Sequence, residues 1–309
     1  MSGRFAPSPT GDLHLGNLRT ALAAWLAARG SGRGFIVRME DLDRATSSPE
    51  HEAQQLADLS ALGIDWDGPV VRQSDRFELY RAAIGALRDK GLVYPCYCTR
   101  REVRAEIEEA PRAPHVHRPD GAYPGTCREL TDTERAERER AGRRPAWRLR
   151  TNGEVIELVD GIAGRFSGAV DDVVLARADG VPAYNLAVVV DDADQGVTQV
   201  VRGDDLLTST PRQVHLQRLL GLPQPEYLHV PLVLGDDEQR LAKRHGAVTL
   251  ADLAAAGWSA AEVLVVLAVS LGLAHRGESV TIDELIDRFE PECVPRSPVH
   301  LGDLQRSTP

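Results

Sequence analysis

Arg4-Phe5-Ala6-Pro7-Ser8-Pro9-Thr10-Gly11-Asp12-Leu13-His14-Leu15-Gly16-Asn17 is the segment from which the rest of the chain can be read outward. Two prolines and Gly11 form a tight loop that cannot continue the short strand expected at Arg4 to Ala6. The run Leu18 to Ala28 that follows has helical periodicity. Strand, kinked loop and helix therefore succeed one another, with His14 and Gly16 at the helix start. Unpaired backbone N–H groups there make a ready anion site, and phosphate is the natural guest.

The 309-residue chain is long enough for one large domain or two ordinary ones. With 36 basic and 46 acidic residues the net charge is −10, which argues against a sequence-blind polyanion binder unless positive charge is concentrated locally. One segment does concentrate it: Thr99 to Arg150 holds 13 Arg against 10 Asp or Glu. No charged leader with an apolar core follows Met1, and the longest apolar run, Val263 to Val269, is far too short for a bilayer. It reads as a buried helix. A cytoplasmic protein with no membrane partner, working as a monomer, is expected. Four cysteines do not make a disulfide scaffold, and Cys96 and Cys98, one residue apart, suit a metal better than a staple.

Along the chain, Gly34 to Met39 reads as a buried strand ending in Glu40-Asp41-Leu42-Asp43. Ser48 before Pro49 starts a helix to about Leu62, and a second helix, Asp75 to Lys90, leads into a further strand at Gly91 to Tyr94. Two strand-helix units in a row argue for an α/β fold with a doubly wound parallel sheet. Pro95 to Pro145 breaks the pattern as a loop-rich, Arg-rich insertion. Strands at Trp147–Arg150, Val155–Asp160 and Asp172–Arg177 follow, then an apolar run from Tyr184 to Val190, a strand at Val197–Val201 and a helix from Thr210 to Leu220. Past Leu250 the pattern is helical, with a proline-rich tail read as an extended strap and Cys293 read as core. The units expected are 1–94, the insertion 95–145, 146–235 and 236–309.

The opening segment resembles the HIGH signature of class I aminoacyl-tRNA synthetases, and Arg4 to Gly11 narrows the resemblance to the glutamyl and glutaminyl branch. Arg240-Leu241-Ala242-Lys243-Arg244-His245-Gly246 is similar to the KMSKS loop of those enzymes, with Arg240 and Ala242 as departures, and Val181 to Asp205 resembles the branch almost continuously. The resemblance implies a class I synthetase fold of Rossmann type, with a zinc-containing insertion and a helical C-terminal subdomain. It further implies that His14, Gly16, Asn17 and Lys243 hold ATP with Mg2+, with His14 and Lys243 as the catalytic pair. Attack of an amino acid's carboxylate on the α-phosphorus joins two anions, so the protein's task is positioning and charge neutralisation. Arg4, Glu40 and Arg202 each leave a strand at its carboxyl end and should converge on one crevice, which suits an amino acid with a side-chain carboxylate and an α-ammonium. Glutamate fits, and the family's pocket positions fall on Arg4, Ser8, Glu40, Tyr184 and Arg202.

Cys96, Cys98 and Cys127 offer three thiolates for a closed, structural tetrahedral zinc site. His115 or His117 would be the usual fourth ligand chemically, whereas Tyr123-Pro124-Gly125-Thr126-Cys127 resembles the tyrosine-containing site of a truncated glutamyl-tRNA synthetase branch. In that branch glutamate is activated without tRNA and esterified to queuosine at the wobble position of tRNA(Asp), so the partners implied are ATP, L-glutamate and that anticodon stem-loop. The branch has no anticodon-binding domain, and none is expected here. The competing readings are a glutamyl-tRNA synthetase catalytic domain charging the tRNA 3′ end, and a non-catalytic tRNA-binding paralogue.

Overall fold

The computed structural model describes residues 1–109, 122–235, 238 and 248–302. In chain order, β1 (Ser2–Phe5), α1 (Leu15–Gly30), β2 (Gly34–Met39), α2 (Pro49–Ala61), β3 (Val71–Arg72), α3 (Phe77–Asp89) and β4 (Val93–Cys96) make the first third. Helices α4 (Arg100–Glu109) and α5 (Asp132–Arg140) precede β5 (Ala146–Leu149), β6 (Val155–Asp160), β7 (Gly164–Ala169) and β8 (Val174–Ala176). Then come α6 (Tyr184–Asp194), β9 (Val197–Gly203), α7 (Thr210–Leu220), β10 (Glu226–Val230), β11 (Val233–Leu234), α8 (Leu250–Ala255), α9 (Ala260–Ser270), α10 (Ile282–Arg288) and β12 (Val299–His300).

A five-stranded sheet in the order β10-β9-β1-β2-β3, parallel throughout, is the frame. Its central strands are buried on both faces: Phe35, Val37 and Met39 of β2 are fully buried on one side, and Arg38 on the other. Helix α1 is enclosed almost all round because Ala21, Ala23, Ala24 and Ala28 let neighbours approach closely. At Gly3 a Cβ would lie 2.8 Å from the Ala28 Cβ, so β1 and α1 can pack at this distance only without a side chain there. Helices α9 and α10 cover the outer face of α1, and Leu267, Leu271 and Leu285 join the same core.

The expected further parallel strand at residues 91–94 is instead β4 of a separate three-stranded sheet, β4-β5-β8, antiparallel throughout. Sequence pattern alone cannot assign a short apolar strand to one sheet or another. Cys96 faces Ala146 in this pairing, so the intervening chain leaves and returns at one sheet end. The apolar run from Tyr184 is helix α6, with Leu186, Ala187, Val188 and Val189 all buried. Within the tail, β12 pairs in parallel with β11. Cys293 is exposed rather than core, because its neighbour Val294 takes the buried place. No helix among the described residues is long and apolar enough to cross a membrane.

Candidate active site

Between the carboxyl ends of β1 and β9, where the strand order reverses direction, lies a pocket of about 720 Å³. Ser8, His14, Gly16, Asn17, Glu40 and Tyr184 line it, together with Thr20, Gln55, Leu232 and Val233. His14 is the N-cap of α1: its Nδ1 accepts the Asn17 N–H at 3.3 Å, and the Asn17 Oδ1 accepts the His14 N–H at 3.2 Å. Part of the anion-binding capacity expected at this helix start is thus spent on a reciprocal cap, and Nδ1 is committed. At Gly16 a Cβ would stand 3.0 Å from the imidazole Cε1, so the glycine is what lets the ring lie over the first turn.

Lys243, Arg240 and Ala242 lie outside the described residues. Their flanks do not. Val233 lines the pocket, and on the other side Val248 accepts the Leu15 N–H at 3.0 Å while Thr249 bridges to His14.

The pocket floor is charged. Glu40 lies 3.6 Å from the buried Arg38 guanidinium, which also reaches Asp192 at 2.8 Å and Asp191 at 3.6 Å. Burial pushes the Glu40 carboxyl up to about 7; Arg38 and Arg4 oppose the rise, and Asp192 and Asp191 add to it. Arg38 itself is held charged, since the three carboxylates outweigh the cost of its burial. Arg4 donates from Nη1 to the Val201 carbonyl at 3.0 Å and stands 3.6 Å from Asp192. Tyr184 is raised by burial first and then by Glu40, with Arg202 and Arg4 pulling the other way, so all four groups share one electrostatic neighbourhood.

Arg202 is buried next to Gly203, which lines the pocket, and its nitrogens donate to His229, Gln213 and Thr210. Arg4 is likewise buried next to the lining residue Phe5.

Away from this pocket, Cys96, Cys98 and Cys127 bring their sulfur atoms within 4.8 Å of one another. The Tyr123 hydroxyl lies 3.3 Å from the Cys96 Sγ and 3.5 Å from the Cys98 Sγ, and accepts the Cys127 N–H. A tetrahedral ion with ~2.3 Å bonds to sulfur and ~2.0 Å to oxygen separates its ligands by about 3.5 to 3.8 Å, so the donor set fits one ion. His115 and His117 lie outside the described residues. The Arg148 guanidinium sits 3.7 Å over the Tyr123 ring.

Sequence reasoning missed Arg38, His229, Asp160 and Gln55. A charged residue inside the apolar strand Gly-Phe-Ile-Val-Arg-Met was a usable signal for Arg38, whereas His229 and Asp160 meet across 69 residues and carry no local mark. Gln55 donates to the Ser8 and Gly11 carbonyls from α2 and so braces the loop before α1.

The chain matches the family of class I tRNA synthetases (E and Q), catalytic domain, over residues 1–300. It is 61% identical over 302 residues to the glutamyl-Q tRNA(Asp) synthetase of Nocardia farcinica, covering 98% of this chain and 93% of that one. Identity to the glutamyl-Q tRNA(Asp) synthetase of Symbiobacterium thermophilum is 52%, covering 97% and 96%. A glutamate–tRNA ligase of Alkalilimnicola ehrlichii is 44% identical, covering 95% of this chain and 61% of its own length. Among solved structures, a glutamate tRNA ligase from Elizabethkingia meningosepticum in complex with its amino acid superposes with a TM-score of 0.82 at 27% identity, over 99% of this chain and 68% of that one. With the switch-point pocket, the capped helix start and the charged floor in place, the chain belongs to the class I glutamyl and glutaminyl tRNA synthetase family.

Proposed function

We propose that this chain activates L-glutamate with ATP to glutamyl-adenylate without tRNA and then transfers the glutamyl group to queuosine at the wobble position of tRNA(Asp). The observation that carries the reading is the pairing, in one pocket, of a helix-start anion site with the Glu40 carboxylate, with arginines buried beside it, so that an amino acid's two kinds of charge can both be met. The identity to the Nocardia and Symbiobacterium proteins, higher than that to the Alkalilimnicola ligase, supports the choice within the family.

In this reading Glu40 receives the α-ammonium, with Tyr184 and Ser8 beside it, and Arg202 and Arg4 supply the positive potential for the side-chain carboxylate. The α-carboxylate oxygen attacks the α-phosphorus and pyrophosphate leaves. Charge on the phosphates is met by the first-turn N–H groups near Gly16 and Asn17, by His14 and by Lys243. A magnesium ion would add countercharge for ATP. Cys96, Cys98, Tyr123 and Cys127 would hold one structural zinc, leaving no open position for chemistry. The metal would tie residues 95–145 into an insertion whose arginines face the anticodon stem-loop, while residues 1–94 and 146–235 form the two halves of the nucleotide-binding fold and 236–309 the helical end.

The test is transfer of labelled glutamate to purified host tRNA, followed by digestion and location of the labelled nucleoside. Label on the wobble nucleoside of tRNA(Asp) supports the reading. Label on a terminal adenosine assigns ordinary aminoacylation instead, and an absence of both label and pyrophosphate exchange points to a non-catalytic tRNA-binding paralogue.

A further inference from the structure

Arg202 is a buried cation surrounded by neutral acceptors. Its Nε donates to His229 Nε2 at 3.0 Å, Nη1 to Gln213 Oε1 at 2.7 Å and Nη2 to Thr210 Oγ1 at 2.9 Å. Among the described residues no carboxylate lies within 4.0 Å of it; at the pocket floor Arg38 has three and Arg4 has one. Leaving a buried guanidinium without an anion is costly unless a ligand supplies one.

His229 can accept from Arg202 only if its own proton sits on Nδ1. Asp160 arranges that: its Oδ2 lies 2.6 Å from His229 Nδ1, while its Oδ1 is held by the N–H groups of Ile162, Ala163 and His229. Asp160 ends β6, His229 lies on β10 and Arg202 on β9, so three strands converge on one orientation. All three side chains are buried.

We propose that Asp160 and His229 are positioning residues for Arg202: the Asp160 carboxylate fixes the Nδ1–H tautomer, Nε2 then accepts from Arg202, and the guanidinium is held with no carboxylate of the described residues beside it, so that the substrate's side-chain carboxylate becomes its anion. This rests on the glutamate-activating reading above. Burial keeps the imidazole below its ordinary pKa range, in accord with a neutral ring. The same logic holds a catalytic imidazole in one tautomer elsewhere.

Asp160→Asn is the sharpest variant. Its Oδ1 keeps the three backbone bonds, but an amide N–H in place of Oδ2 forces the His229 proton onto Nε2, where it meets the Arg202 donor. Nitrogen-15 spectra of histidine-labelled full-length protein, with the His229 signal assigned from its loss in His229→Gln, should show an Nδ1–H ring in the wild type and an Nε2–H ring in Asp160→Asn. In pyrophosphate exchange, Asp160→Asn and His229→Leu should raise KM for glutamate at least about tenfold while KM for ATP stays within about twofold. His229→Gln, which can accept from Arg202 and donate to Asp160, should stay within about threefold of wild type. A wild-type ring protonated on Nε2 or on both nitrogens overturns the proposal, as does an inverted tautomer with unchanged KM for glutamate. Should Asp160→Asn fail to fold, an equal rise in His229→Gln and His229→Leu overturns it. Absence of any glutamate-dependent exchange in the wild type refutes the activity, and the wild-type tautomer, read without substrate, still decides the relay.

Discussion

Glu40 offers a quantitative test of the amino-acid pocket, because burial pushes its carboxyl up to about 7. An α-ammonium binds only the ionised form. About a tenth of molecules carry that form at pH 6, half at pH 7 and about nine-tenths at pH 8, so KM for glutamate should fall roughly tenfold from pH 6 to pH 8. The substrate's ammonium stays protonated throughout and the neighbouring Arg38 stays charged, so the slope that Glu40→Gln removes is the part carried by Glu40. Glu40→Gln should show a raised KM with that slope removed. Stability runs the other way: a carboxyl whose folded pKa lies above its unfolded value of about 4.5 favours the fold when protonated, and that contribution is lost as pH rises through about 7. Without glutamate, Glu40→Gln should therefore be more stable than wild type above pH 7, by on the order of 1–3 kcal/mol. Pyrophosphate exchange across the pH range and thermal melts of both proteins make the measurement. A KM that is flat from pH 6 to pH 8, or a slope that survives in Glu40→Gln, refutes the assignment.

Arg202→Ala should raise KM for glutamate while leaving KM for ATP unchanged; unchanged glutamate dependence in the exchange assay removes it from the pocket. Cys98→Ser should lower bound zinc, measured by elemental analysis, and depress Tm, and full zinc retention refutes the ligand set of Cys96, Cys98, Tyr123 and Cys127. Gly16→Ala places a methyl 3.0 Å from the His14 ring and should raise KM for ATP without altering KM for glutamate in the same assay; a wild-type KM for ATP shows that the ring moves aside without consequence.

What was legible in the sequence was local. The order of strand, kinked loop and capped helix at Phe5 to Asn17 follows from proline, glycine and apolar periodicity within fifteen residues, and the acidic ends of β2 and α6 are visible as Glu40 and as Asp191-Asp192. Ser48 and Pro49 mark α2 for the same reason. The Cys96, Cys98 and Cys127 cluster was legible because thiols are scarce and their chemistry is narrow. Contacts made at long range were not. Whether β4 joins the main sheet depends on pairing with β5 across 49 or more positions, and which acceptors surround Arg202 depends on where β6 and β10 come to rest. The role of Gln55 depends on α2 lying beneath the loop, which no pattern within α2 discloses.

The place of β1 in the sheet has a consequence for the chain's biogenesis. Ser2 pairs on one side with Gly34 and on the other with Val197, so during synthesis β1 waits for about 195 further residues before its second edge is satisfied. A nascent chain or fragment ending before β9 would present an apolar strand edge open to other chains, the usual route to aggregation. The two halves of the parallel sheet are therefore a single cooperative unit in time as well as in space: cut between α6 and β9, they should be recovered together by co-expression rather than by refolding the first half alone.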